Sequence, residues 1–178
     1  MEYELTAYQQ DFLLLNYEKM DFFINRAQFS GSTSIDNIIQ VKSSLSYFHN
    51  VFTYNDNKVL LFDCNTFLKD TFQCEQSTPS RLCLLMRPED FSSKGRPAIE
   101  TLLNKNSSLS KEFLGLIIPA QAKIRKIGIN EIYLSPGSLK KTLSFYGIYG
   151  CRFPQENRIQ YFIDLETNIL NILRKKNK

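Results

Sequence analysis

The sequence predicts an α/β fold, one mixed central sheet with helices packed on both faces. Two patterns and the composition carry that expectation. Segments with apolar residues at helical spacing alternate with short apolar runs in the last third of the chain. A hairpin signal stands in the first third, which places antiparallel strands in the same sheet. The chain has 178 residues, of which 43% are hydrophobic and 22% charged. That excludes a disordered or fibrous chain, and the length suffices to bury roughly 70% of the unfolded surface. No apolar run approaches the ~20 residues that cross a bilayer. Met1-Glu2-Tyr3-Glu4 lacks the basic and then apolar opening of an export signal, so a cytoplasmic location without membrane partners is expected.

In chain order, residues 4–8 read as a strand or extended segment. Met20, Phe23, Ile24 and Ala27 recur at helical spacing and predict a helix over residues 16–29. Ser34 as cap, followed by Ile35, Ile38 and Ile39, predicts a short helix over residues 34–41. Residues 46–54 and 58–62 form a hairpin around Asn55-Asp56-Asn57, because strand formers flank residues that tolerate left-handed backbone. Residues 64–80 read as loop or short helix and 81–86 as an apolar run. Residues 88–97 gather proline, glycine and serine and read as loop.

Residues 97–104 read as a strand and 105–110 as a polar connection. Residues 114–127 carry Leu114, Ile117, Ile118, Ile124 and Ile127, which predicts a helix stopped by Gly128. A short buried strand over residues 131–134 and a turn at Ser135-Pro136-Gly137 follow. Ser138 caps a helix running to about Ile148. Residues 151–154 and 158–165 read as strands, and residues 164–178 as a terminal helix with Leu165, Ile169, Ile172 and Leu173 on one stripe.

The net charge of +4 is not spread over the chain. Arg174, Lys175, Lys176 and Lys178 supply all of it, and the remainder carries eighteen basic and eighteen acidic residues. The expected organisation is therefore one domain over residues 1–173 and a basic tail over residues 174–178. A nucleic-acid reading rests on that tail alone. Cys64, Cys74, Cys83 and Cys151 show no CxxC spacing, and His49 is the only histidine. That set argues against a zinc site and fits reduced thiols. A hydrolase built on histidine would have to use His49, which sits in a strand-like stretch.

The segment 122–134, followed by Phe145-Tyr146-Gly147-Ile148-Tyr149-Gly150-Cys151-Arg152-Phe153, resembles the GNAT family of N-acetyltransferases. In that family a helix ending in glycine leads to a short strand, and a second helix carries a Phe-Tyr pair. Residues 158–165 are similar to the family's last strand. Residues 12–27 are similar to the first helix of a subgroup that includes tRNA-acetylating toxins. The order of these short motifs carries the resemblance.

The resemblance implies a GNAT-like acyl-CoA N-acyltransferase fold and acetyl-CoA as cosubstrate. The family's phosphate loop, Gln/Arg-x-x-Gly-x-Gly/Ala, joins the fourth strand to the third helix, where backbone N–H groups hold pyrophosphate. Two placements compete, Ser92-Ser93-Lys94-Gly95-Arg96-Pro97 and Ser110-Lys111-Glu112-Phe113-Leu114-Gly115. The second fits the spacing, with residues 97–104 as fourth strand and 116–127 as third helix. The implied cofactor contacts are then Leu102, Leu103, Asn104, Ser110, Lys111, Glu112, Phe113, Leu114, Gly115 and Leu116. Tyr146 matches the family tyrosine that protonates the departing thiolate, a role a phenol of pKa ~10 can fill. Glu100 is the carboxylate chosen as base, although water can relay that proton in this family.

Two functions follow from different classes. One is an N-acetyltransferase acting on an amine acceptor, for which the toxin subgroup points to aminoacyl-tRNA. The alternative is a catalytically degenerate relative that serves as a binding or interaction module, a homodimer among its assemblies. Ser110 in place of Gln or Arg, Phe113 in place of glycine, and an aromatic content of 13% favour the alternative.

Overall fold

The computed structural model describes residues 8–17, 20–43, 45–74, 82–119, 122–134, 146–154 and 158–175. These residues form two six-stranded sheets with three α-helices, not one central sheet flanked by helices. The expected α/β GNAT-like architecture is thereby corrected.

The first sheet takes its strands from both ends of the chain. They are β1 (Gln9–Asn16), β2 (Asp21–Asn25), β9 (Lys123–Gly128), β10 (Tyr133–Leu134), β11 (Ile148–Arg152) and β12 (Gln160–Ile163). Their order is β10-β11-β12-β2-β1-β9. The second sheet uses the stretch between: β3 (Gly31–Ser34), β4 (Ile38–Gln40), β5 (Asn50–Tyr54), β6 (Asn57–Phe62), β7 (Leu82–Met86) and β8 (Leu109–Ile118). Its order is β3-β7-β8-β6-β5-β4. The helices are α1 (Cys64–Phe72), α2 (Arg96–Asn104) and α3 (Leu165–Lys175).

The inner strands of each sheet are buried on both faces, and this decides how the sequence looks. The largest core lies between the sheets and joins Leu13, Leu15, Phe22 and Ile24 to Leu60, Phe62, Leu114 and Leu116, with all three helices packed into it. Two smaller cores occupy the opposite faces. Phe12, Leu14, Phe23, Ile127 and Phe162 form one, and Ile35, Phe52, Val59, Leu61, Cys83, Leu85 and Ile117 the other.

A strand buried on both sides reads as an unbroken apolar run. Residues 21–24 are four consecutive buried positions of that kind. The helix expected over residues 16–29 is therefore β2 followed by a 3₁₀ turn, Arg26–Gln28. The helix expected over residues 34–41 is the end of β3 and the edge strand β4. Residues 114–118 belong to β8 and residues 123–127 to β9, not to one helix. Residues 97–104, expected as a strand, form most of α2. Ile99, Leu102 and Leu103 make its buried stripe, and Pro97 sits in the first turn, where no N–H is needed.

The hairpin is present, although its first strand starts at Asn50 and not at residue 46, and Asn57 already belongs to β6; Asn55 and Asp56, at φ 47° and 61°, are the left-handed pair of a tight two-residue turn. The terminal helix also stands, its first turn capped by Asp164, which accepts from Glu166 N at 3.1 Å and Thr167 Oγ1 at 2.6 Å. Strand β10 is exposed, not buried, with Tyr133 60% and Leu134 78% accessible. The turn and helix expected over residues 135–145 lie outside the described residues. Ile148, expected to end that helix, begins β11. Residues 4–7 of the first expected strand also lie outside the described residues. Among the described residues no helix is long and apolar enough to cross a membrane.

Candidate functional site

The residues expected to form an acetyl-CoA site are spread over α2, strand β8 and the segment before β11, where packing, ladder and capping contacts engage most of them. Tyr146 precedes β11, and its ring packs against Phe67 and Phe72 of α1 at centroid distances of 6.3 and 6.0 Å. Its carbonyl accepts from Asn168 Nδ2 at 2.8 Å, which ties it to α3. Glu100 stands exposed on α2, while Leu102 and Leu103 on the same helix face the large core and Asn104 ends it exposed.

The segment expected as a phosphate loop is strand β8. Leu114, Gly115 and Leu116 pair with β6 on one side and with β7 on the other. Backbone groups in such a ladder are already spent on neighbouring strands and cannot cradle an anion. The flanking residues are also engaged. Ser110 is buried and its Oγ accepts from Glu112 N at 3.2 Å. Lys111 Nζ donates to Leu103 O at 2.7 Å and to Asn106 O at 2.9 Å, closing the C-terminal end of α2. Glu112 pairs with Arg87 at 3.2 Å, and the Arg87 guanidinium lies over the Phe113 ring at 5.2 Å. Phe113 also meets Tyr54 edge-on at 5.7 Å. Among the described residues the element that follows β8 is strand β9, not a helix, so no helix N-terminus follows the expected loop.

The remaining candidate nucleophiles are muted. Cys64, Cys74 and Cys83 are buried free thiols. Burial pushes the Cys83 thiol up to about 12 and raises those of Cys64 and Cys74, so all three stay protonated near neutrality. Cys151 is half-buried and raised by the same cause. His49 is exposed just before β5, where its carbonyl accepts from Val41 N at 2.7 Å. Among the described residues no group of three or more His, Cys, Asp or Glu side chains is placed to hold a metal ion.

What the fold does build is a groove beside α2. It lies on the face of the second sheet near the free edge β4, with a volume of about 260 Å³. Leu45, Phe48, Val51, Leu60, Leu102 and Leu109 supply its apolar lining. Lys42, Lys58 and Lys105 stand around it, all exposed, and no aspartate or glutamate is among the described lining residues. A second hollow of about 330 Å³ shares Leu45, Leu102 and Lys105 with the first and continues along α2 to Leu173 of α3. Sequence reasoning missed this site because its cations come from three elements far apart in the chain. The one usable signal was the 3–4 spacing of Ile99, Leu102 and Leu103, which marks a helix.

No protein-family model matches the sequence, and no curated protein does. Among solved structures, the chain is similar to the scaffolding protein TtCheW from Thermoanaerobacter tengcongensis. The two share 10% identity at a TM-score of 0.55, over 88% of this chain and 90% of that one. At that identity the likeness concerns the fold. It replaces the GNAT resemblance, and with it go the acetyl-transfer reading and the partners that resemblance implied, acetyl-CoA and aminoacyl-tRNA.

Proposed function

We propose that this chain is a protein–protein interaction module of the scaffolding kind, working in the cytoplasm. The observation that carries the reading is the likeness in fold to a scaffolding protein over nearly nine-tenths of both chains. Fold alone does not fix function, so the chemistry of the surface adds its own support. Three of the four thiols are buried, Tyr146 packs on α1, and Lys111 closes the C-terminal end of α2. The accessible features are instead contact features: a lysine-rimmed apolar groove and a free strand edge whose Ile38 and Ile39 are 45% and 50% accessible. The four unpaired cysteines fit a reducing compartment.

The test is affinity capture of the tagged full-length chain from its native cells at physiological salt, with retained proteins identified and the complex rebuilt from purified components. The expected result is a discrete partner held with a defined stoichiometry. Absence of any reconstituted complex overturns the reading.

A further inference from the structure

We infer that the groove beside α2 is a docking site for an acidic amphipathic segment of a partner protein. This rests on the reading of the chain as an interaction module and names where that module binds and what it takes.

The argument starts from the lining. Successive strands of the second sheet each contribute one apolar side chain to the floor, Val51 from β5, Leu60 from β6 and Leu109 from β8. Leu102 of α2, with Leu45 and Phe48, completes the apolar lining. Those side chains belong to the large core, so the floor is a rigid, packed surface. The floor favours apolar side chains of an occupant by ordinary burial.

The rim sets the sign of the occupant's charge. Lys42, Lys58 and Lys105 surround the groove without any carboxylate among the described lining residues. None of the three makes an ion pair with another described residue. Lys111 shows the contrast: it lies a few residues away and is spent on the carbonyls that end α2. Three uncommitted ammonium groups around one apolar floor raise the local potential and select an anionic, partly apolar ligand.

The shape points to a segment of chain. The two adjoining hollows share Leu45, Leu102 and Lys105, so the apolar track runs along α2 from Lys58 towards Leu173. An amphipathic stretch with carboxylates on one face meets both the track and the rim. The chain's own C-terminus is excluded as occupant on charge, since Arg174, Lys175, Lys176 and Lys178 carry the sign of the rim.

The test uses three labelled synthetic peptides of equal length titrated against the full chain by fluorescence anisotropy. One alternates Leu and Glu at helical spacing, one replaces Glu by Lys, and one replaces Leu by Ser. The Leu/Glu peptide is expected to bind at least tenfold tighter than the other two, and to weaken as salt rises. The variant Lys42→Gln/Lys58→Gln/Lys105→Gln changes only exposed side chains and is expected to lose on the order of tenfold and most of the salt dependence. Ile39→Glu, which puts a carboxylate at the mouth of the groove, is expected to weaken the same peptide with the fold intact by circular dichroism.

Equal binding of the three peptides, no binding of any, or indifference to both variants overturns the proposal. Binding to phosphatidylglycerol vesicles without preference for the Leu/Glu peptide overturns it in favour of a lipid surface. If the native partner is held by the wild type and by both variants alike, the groove is discarded and the module reading stands. If the wild type holds no partner, the module reading itself falls.

Discussion

Each sheet contains one parallel pair, and the two pairs are held together by opposite means. In the first sheet β12 lies parallel to β2, with Gln160 opposite Asp21 and Phe162 opposite Phe23. Asp21 is buried and collects Arg158 Nη2 at 2.8 Å, Asn16 Nδ2 at 2.8 Å and Gln160 Nε2 at 3.0 Å. Arg158 also donates to the carbonyls of Tyr17 and Met20. In the second sheet β6 lies parallel to β8, with Leu61 opposite Gly115. No charged side chain is buried there. The fit is steric: a Cβ built on Gly115 would stand 2.6 Å from Leu61 Cδ2 and 2.7 Å from Cys83 Sγ.

The difference follows from what each seam must specify. Joining β2 to β12 brings the two ends of the chain together, and directional hydrogen bonds fix register where chain connection does not. The pair β6–β8 lies within one continuous stretch of chain, and close packing suffices. A polar seam fails when one partner is removed, whereas a packed seam fails when volume is added.

The largest expected effect is on the aromatic face of the polar seam. Phe162 is wholly buried, edge-on to Phe12 at 5.1 Å and stacked on Phe23 at 5.0 Å. Phe162→Ala is expected to cost about 4 kcal/mol in urea unfolding, as burial and a poorly collapsible cavity add. A loss under about 1 kcal/mol would show that the first sheet does not depend on this cluster.

Asp21→Ala comes next. It removes the carboxylate shared by Arg158 and two amides and leaves the guanidinium with carbonyl partners but no counter-charge, at an expected cost of about 3 kcal/mol. Arg158→Ala in the same background is expected to restore part of that loss, because the orphaned charge is gone. Strict additivity of the two substitutions would break the account of the seam as one network.

The same contrast explains what the sequence revealed. The β5–β6 hairpin and α3 were legible because their signals are local: Asn55 and Asp56 with left-handed backbone, and Asp164 capping a stripe of Leu165 and Ile169. Strands buried on both faces were not legible. Phe22, Phe23 and Ile24 face different cores on alternate positions, yet as letters they match helical spacing as well as any helix does. Residues 114–118 mislead for the same reason: as the start of a helix they give the preceding residues the look of a phosphate loop. Strand β8 is instead the centre of a ladder whose partners, β6 and β7, are set by tertiary pairing. The groove was hidden because Lys42, Lys58 and Lys105 become neighbours only after that pairing.

The packed seam is expected to respond more mildly than the polar one. Gly115→Ala places a methyl group against Leu61 and Cys83, whose side-chain ends can give way. The expected loss is about 1–2 kcal/mol, with the unfolding slope unchanged. Gly115→Val should exceed it clearly in the same titration. Equal stability of Gly115→Ala and wild type would mean that the seam has slack.

The smallest effect is alkaline and belongs to the same contact. Burial pushes the Cys83 thiol up to about 12 from its ordinary value of 9.0. The folded chain therefore holds this proton after the unfolded chain has released it. Its contribution is complete below pH ~9 and drains as pH rises from there towards 12, because ionisation then favours the unfolded state. Between pH 8 and pH 10 the wild type is expected to lose about 1 kcal/mol more than Cys83→Ala, although the variant starts less stable at neutral pH. The buried Cys64 thiol is raised as well and remains in both proteins, so the variant's curve should flatten without becoming level. Parallel stability curves for the two proteins would show that the thiol reaches water before the sheet opens, and the β6–β8 seam would then be looser than its packing implies.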